Sequence, residues 1–453
     1  MKFILPLLLS CSFLADSLLL PATATSSQPS LFAFTNVNVI PMNSEALLKN
    51  YTVIVRDDKI ITVSPSSETE ISSATQVIDG SDKYLLPGLA EMHGHIPPSK
   101  RTANMPAYFD DYYVKSTLFL YLSAGITTVR GMLGYPGQLE LKKRINNGEL
   151  IGPNLYLAGP SFNGNTVSSP DQAKERVIQQ QKEGWDLLKI HPGLTLAEYN
   201  AIAETAHSAG ITFGGHVPQD VGIVHAIKSG QKTIDHIDGY VSYLETFEGP
   251  EQQTKLDEIV RLTKKHDVWI VPTQALWKTI IGAADYETLQ EYEELKYIPE
   301  AVLNNYINYV DNLENSAYYD PVNAQGHADL RQHILSEMNK AGVKILMGTD
   351  APQLFSVPGF SIHRELPLME EAGMTPYQII ESGTRRVGEY FSSRDNFGTI
   401  TVGERADLIL INHNPLEDIS HIKNHEGVMV QGRWFSRKII NKKLNEIKSY
   451  YNE

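Results

Sequence analysis

Between residues 31 and 86, apolar and polar positions alternate in short bursts with the two-residue period of strands. Phe32 to Ile40 predicts one strand, Thr52 to Arg56 and Lys59 to Val63 a hairpin turning at Asp57-Asp58, and Thr75 to Ile78 another. From Leu85 the texture changes. Short apolar runs now alternate with stretches of helical period, the pattern of βαβ units on a parallel sheet. Eight runs qualify as strands: Gly88 to His95, Thr127 to Gly131, Asn154 to Ala158, Leu187 to His191, Thr212 to His216, Thr233 to Ile237, Val268 to Pro272 and Lys344 to Thr349. Amphipathic intervals such as Ala173 to Glu183, Leu196 to Ala209 and Val221 to Ser229 separate them. Eight strand–helix units over 87–397 predict an α/β fold of the (β/α)8 TIM barrel type. An open doubly wound sheet would need a Gly-rich phosphate loop after its first strand, and the sequence has none.

One connection is oversized. Residues 274–328 form an insertion in which Tyr286 to Asn315 is rich in helix formers and tyrosines, compatible with a lid or with a structural subdomain. After a helix over Thr375 to Tyr390, strand-like text returns at Gly398 to Val402, Ala406 to Ile411, Gly427 to Gln431 and Arg433 to Ile440. Paired with the first segment, these runs predict a small β-sandwich built from 31–86 plus 398–441.

Composition narrows the function. The apolar share of 42% and charged share of 20% are those of an ordinary globular protein, and a net charge of -14 argues against nucleic acid as a partner. Residues 1–24 read as an export signal: Lys2, then apolar text from Phe3 to Ala15, then Ala22-Thr23-Ala24 before a polar stretch. Asp16 and Ser17 interrupt the apolar run, so no transmembrane anchor is expected in the mature chain, and a periplasmic or extracellular location follows. The alternative is lipid anchoring through Cys11, in Leu8-Leu9-Ser10-Cys11. Cys11 is the only cysteine, so cleavage after Ala24 leaves neither a disulfide nor a thiolate ligand, and any metal must sit on His and carboxylates.

Such residues gather at strand ends. His93-Gly94-His95 closes the first barrel strand, and residues two apart on a strand face the same way, here the carboxyl end of the barrel interior. Gly94 is expected to leave room for a metal against the backbone. His216, His236 and Asp350 end three further strands, and Lys189 sits in the apolar run Leu187-Leu188-Lys189-Ile190. An ammonium cannot bind a cation, but burial disfavours its charge, and the neutral amine can add CO2 to give a carbamate. That anion could bridge two divalent ions about 3.5–4 Å apart. One metal on the histidines and Asp350, with Lys189 only hydrogen bonding, is the other reading.

Leu86-Pro87-Gly88-Leu89 running into His93-Gly94-His95 resembles the opening motif of the amidohydrolase superfamily. Gly125-Ile126-Thr127-Thr128-Val129-Arg130 resembles its second strand, Gly348-Thr349-Asp350 its last, and Gly398-Thr399-Ile400, Gly403, Ala406-Asp407-Leu408 and Asn414-Pro415 its closing strands. The pattern is most similar to the imidazolonepropionase-like branch, with its exported aminoacylases and dipeptidases. The resemblance implies two zinc ions, one on His93, His95 and Asp350, the other on His216 and His236, with carbamylated Lys189 binding both. Gly131 stands where an Asp often follows the Arg, and Thr384-Arg385-Arg386-Val387 lacks the usual Asn-Pro-Ala; both departures concern the branch rather than the ligands.

The expected reaction is hydrolysis of an amide or peptide-like C–N bond in a small molecule such as an N-acyl amino acid or dipeptide. A metal-bound hydroxide attacks, and Asp350 serves as general base and then acid. A lactonase or another ester or organophosphate hydrolase on the same scaffold is the alternative. Tyr240, four residues after His236, is a candidate oxyanion donor, and His363 a candidate substrate contact. Arg130 is expected to pair with a buried acid rather than with a substrate carboxylate, and Trp277 and the insertion's tyrosines either shape an apolar pocket or, as such residues more often do, pack in the core. A small molecule is the expected partner, and self-association into a homo-oligomer is compatible with it.

Overall fold

The computed structural model describes residues 30–452 other than 101, 103, 104, 107, 317 and 320. The expected export signal and Cys11 lie outside the described residues. Five strands open the chain: β1 (Leu31–Val39), β2 (Leu48–Arg56), β3 (Lys59–Pro65), β4 (Gln76–Asp79) and β5 (Tyr84–Pro87). Eight short ones follow: β6 (Leu89–Gly94), β7 (Ile126–Gly131), β8 (Asn154–Leu157), β9 (Leu187–Ile190), β10 (Thr212–Gly215), β11 (Thr233–Asp235), β12 (Trp269–Val271) and β13 (Lys344–Ile345). Three more close it: β14 (Leu408–Ile411), β15 (His425–Val430) and β16 (Arg433–Ser436).

The middle eight are parallel, in two sheets ordered β6-β7-β8 and β13-β12-β11-β10-β9. Backbone contacts join these sheets at both edges. On one side Ala158 bridges Leu187 and Phe162 bridges Ile190, both in parallel. On the other, Met92 N–H donates to Met347 (2.8 Å), Asp350 N–H to His93 (2.7 Å) and His95 N–H to Ala351 (2.7 Å). Their residues are almost all buried, as expected for strands packed on both faces. Helices with well-formed ends separate them. Thr195 and Glu198 make a reciprocal capping box for Leu196–Ala209, and Gly210 ends that helix with φ 66°.

The terminal strands form one hydrogen-bonded sheet ordered β16-β15-β14-β5-β1-β2-β3, with β4 beside β1. A sandwich of two layers was expected; the connectivity is instead continuous, because β5 pairs with β1 on one side and β14 on the other. The sheet nevertheless encloses its own core. Phe34 of β1 and Trp434 of β16 lie four strands apart in the order, about 19 Å on a flat sheet, yet their rings are 5.3 Å apart. The sheet is therefore rolled, and a bridge between Lys59 and Arg405 ties its far edge back.

Three local expectations change. Gly398 to Val402 is not a strand, since Gly398 and Gly403 both take positive φ and break the extended run. Arg433 to Ile440 turns after Ser436 into the helix Arg437–Asn452, whose buried Ile440, Leu444 and Ile447 repeat at helical spacing. The helix expected over Thr375 to Tyr390 is two, Pro376–Gly383 and Arg385–Tyr390, divided at Thr384 with φ -130° and ψ -96°. The 274–328 insertion consists of short helices, Gln274–Ile280, Tyr286–Gln290 and Glu300–Asp311, before the long helix Ala324–Ala341.

Candidate metal centre

Six side chains expected to meet, His93, His95, Lys189, His216, His236 and Asp350, line one cavity of about 410 Å³. His93, His95 and Asp350 are the tightest group, with one ligand atom from each lying within 4.8 Å of the others. His95 Nε2 lies 2.5 Å and His93 Nε2 3.5 Å from Asp350 Oδ1, and His236 Nε2 lies 3.7 Å from Asp350 Oδ2. Lys189 Nζ is 3.2 Å from His93 Nε2. The rings of His93 and His216 stand 4.4 and 4.6 Å from that of His236.

Backbone geometry aims these groups. Strand alternation at β11 turns Thr233 and Asp235 inward, and His236 reaches the same cavity because its backbone enters the left-handed region at φ 65°. Asp350 does likewise at φ 64°, and Thr273, the partner of His236, at φ 47°. Three non-glycine residues held there at one cavity are strain of the kind that functional sites retain. Gly215 permits close approach, since a Cβ would lie 2.5 Å from the Ile190 carbonyl and 2.9 Å from Lys189 Cδ. Gly94 acts otherwise than expected. Its missing Cβ would meet Glu91 Cγ and the Tyr121 hydroxyl, so it makes room for packing behind the site.

A second layer of oxygens fixes the imidazoles. His93 Nδ1 pairs with Asp235 (2.8 Å), His216 Nδ1 with Asp238 (3.1 Å) and His236 Nδ1 with Thr273 Oγ1 (2.7 Å). In each ring this leaves Nε2 as the lone-pair donor, the arrangement by which outer oxygens orient metal-ligating histidines. Nitrogen donors, one carboxylate and no thiolate form a set suited to zinc-class ions, so the residues fit a metal.

Electrostatics agree with that fit. Burial, with Lys189 and His95 adding repulsion, holds His93 well below the usual imidazole range; His236 is lowered in the same way by burial and by His93. These rings are therefore neutral donors. Lys189 is wholly buried, and burial brings its ammonium down to about 8 against the pull of Asp235 and Asp350. Asp235 is the converse case: burial works against its charge, but Arg130 and Lys189 outweigh it and lower its pKa. Arg130 donates to both Asp235 oxygens at 3.1 Å, the expected pairing with a buried acid. Glu91 accepts from His93 N–H and from both donors of Thr349, while burial raises it to about 8.

Two expected substrate contacts lie elsewhere. Tyr240 opens a short helix and is fully buried, its hydroxyl paired with Thr263 Oγ1 at 2.7 Å, because Gly239 at φ 77° turns the chain into the core. It does not line the metal cavity. His363 lines a neighbouring cavity of about 420 Å³ with Arg364, Lys278 and Ser361, and burial lowers it to about 4. Trp277, Tyr309 and Tyr318 of the insertion do line the metal cavity, as does His191, two residues beyond Lys189 and stacked 5.0 Å from His216. The same two-residue spacing that flags His93 and His95 relates Lys189 to His191. Asp235 was masked by its neighbour: strict alternation cannot bring both it and His236 inward.

The Amidohydrolase family model matches residues 84–435, the bulk of the chain and every residue of the cavity. The chain belongs to the amidohydrolase family. This amidohydrolase is 23% identical over 412 residues to ochratoxinase of Aspergillus niger, covering 76% of this chain and 73% of that protein. It is 25% identical over 220 residues to imidazolonepropionase of Photorhabdus laumondii, covering 38% and 53%. Among solved structures it superposes on A. niger ochratoxinase with a TM-score of 0.67 at 20% identity, over 90% of this chain and 96% of that one. A Xaa-Pro dipeptidase with bound methionine in its active site gives a TM-score of 0.67 at 21% identity, over 90% and 100%. These likenesses show a TIM-barrel-type α/β fold, and family membership makes the protein a hydrolase.

Proposed function

We propose that this amidohydrolase is an exported two-metal hydrolase that cleaves the amide bond of a small substrate, an N-acyl amino acid or a dipeptide. Its chemistry is carried on a closed (β/α)8 barrel over 87–397, with 31–86 and 398–441 as a composite β domain and 1–24 as the signal. One observation carries the reading: six ligand-type side chains from the ends of five strands line a single cavity, and three of their imidazoles have Nδ1 already held by Asp235, Asp238 and Thr273. The names of the relatives support the bond type. They include an ochratoxinase, an imidazolonepropionase and a Xaa-Pro dipeptidase.

His93, His95 and Asp350 would hold one cation and His216 and His236 the other. Lys189 joins them after its neutral amine adds CO2, forming an N–C bond and releasing one proton. Zinc bound there supplies Lewis acidity and lowers the pKa of water to near 7. Asp350 accepts the proton of the attacking water and delivers it to the departing amine. Asp235, anchored by Arg130, holds the His93 ring in one tautomer throughout. Trp277, Tyr309 and Tyr318 line the cavity and offer a substrate aromatic surface.

Elemental analysis of purified protein tests this together with a panel of dipeptides, N-acyl amino acids, lactones and aryl esters. The expected result is about two zinc-class ions per chain and turnover confined to the amides. Metal-free protein that zinc does not activate would discard the proposal. Lys189→Ala is expected to lose bound metal and rate together; full retention of both would remove the carbamate.

A further inference from the structure

Three arginines of the described chain are buried: Arg130, Arg331 and Arg405. Arg130 has Asp235 at 3.1 Å, and Arg405 has Asp407 at 2.7 Å and Asp395 besides. Arg331, on the helix Ala324–Ala341, is 6% exposed, yet among the described residues no carboxylate oxygen lies within 4.0 Å of its guanidinium. Its one hydrogen bond among those residues runs from Nη1 to the backbone carbonyl of His236, and its Cζ sits 4.1 Å from the centre of the Trp277 ring. A buried, unpaired cation is costly unless something neutralises it.

The nearby acids, Asp238 and Glu245, line the same cavity and favour the Arg331 charge from a distance, but each is hydrogen-bonded or ion-paired to another partner. Asp238 accepts from Val217 N–H (3.0 Å) and pairs with His216, and Glu245 lies 2.7 Å from His327. Among the described residues, Arg331 meets no acceptor with four of its five N–H donors. It lines a cavity of about 650 Å³ that shares Trp277 and Tyr318 with the metal cavity. The Trp277 indole N–H is itself buried without an acceptor among the described residues. A molecule whose scissile bond lies at the metal cavity can thus extend past these two aromatics toward the guanidinium.

We propose that Arg331 is the residue that reads a carboxylate on the substrate, in a subsite on the His236 side of the metal cavity. This rests on the hydrolytic reading above and sharpens its substrate class: one acidic group, displaced from the bond that breaks, is required for tight binding. The guanidinium fork matches a carboxylate with two parallel hydrogen bonds, which a lysine cannot reproduce. Its bond to the His236 carbonyl ties the acid's position to a metal ligand.

Calorimetric titration of zinc-loaded protein with 4-phenylbutanoate and with 4-phenylbutan-1-ol tests the subsite without turnover. The acid is expected to bind roughly 10- to 100-fold more tightly than the alcohol, the range of a charge-assisted hydrogen-bond pair. Arg331→Gln is expected to bring the two affinities together at unchanged zinc content, and Arg331→Lys to retain part of the difference. Equal affinities in the wild type, failure of the acid to bind, or a preference that persists in Arg331→Gln would overturn the proposal; persistence would place the acid on the metals. Should Arg331→Gln fail to fold, an undiminished preference in Arg331→Lys overturns it equally. A protein that keeps the acid preference but hydrolyses no amide would sink the hydrolytic reading alone, so the two fail on different measurements.

Discussion

The floor and the roof of the metal cavity are built on opposite plans. On the floor, Arg130, Asp235 and His93 form an unbroken chain of paired polar groups, and Glu91, Thr349 and Ser361 form a second. The roof, drawn from the 274–328 insertion and the helix after it, leaves polar groups unmatched: among the described residues Gln274 Oε1 and Trp277 Nε1 are buried without partners and Arg331 pairs with no carboxylate. Fully satisfied networks hold one geometry, whereas unmatched groups await a ligand. The contrast divides labour: the floor positions the reacting atoms, and the roof selects what reaches them.

Asp350→Asn should break the floor most severely. It leaves shape unchanged but removes both the proton acceptor and the carboxylate ligand of one cation, and kcat of the zinc-reloaded variant is expected to fall by at least about 10²–10⁴-fold. Single-turnover kinetics would check this; a variant within a few-fold of wild type would remove Asp350 from proton transfer. Asp235→Asn comes next, because it frees the His93 ring and strands the Arg130 charge. Zinc affinity should drop by about 10–100-fold and stability by about 3–5 kcal/mol, read by metal titration and denaturant unfolding. The smallest effect concerns the roof's anchor. Glu365 accepts from Gln274 and Ala275 N–H at 2.9 Å each and so holds the first helix of the insertion. Burial raises its pKa from 4.5 to about 7 despite those two donors. The folded state therefore binds a proton more tightly than the unfolded chain, so this stabilisation is complete below pH 4.5 and is lost as pH rises to about 7. Glu365→Gln should flatten that part of the stability–pH curve; an unaltered slope would assign it to another group.

The floor was far more legible in the sequence than the roof. His93, His95, Lys189, His216, His236 and Asp350 each end or lie within a short apolar strand run, and period-two alternation suffices to orient most of them. Asp235 escaped because His236 leaves the alternation through its left-handed backbone, a conformation that no pattern of apolar residues announces. Tyr240 misled for the same reason, since the turn at Gly239 redirects it into the core. In the roof, tyrosines and helix formers at 286–315 announced helices but not their breaks at Glu291 and Asn312, and nothing in the spacing of Arg331 reveals that no described carboxylate pairs with it directly. The rolled terminal sheet was legible as strands, not as one sheet, because pairing between distant segments leaves no local mark.

That sheet has a temporal consequence. β5, directly before the first barrel strand, finds its antiparallel neighbour in β14, more than three hundred residues later, with Leu408 opposite Pro87. Contacts so remote in sequence are slow to form, and here the late partner is synthesised more than three hundred residues after β5. The entrance strand of the catalytic scaffold therefore waits, with one edge open, until the carboxyl-terminal segment arrives, and a chain cut short before residue 408 would keep that edge available for association with other molecules.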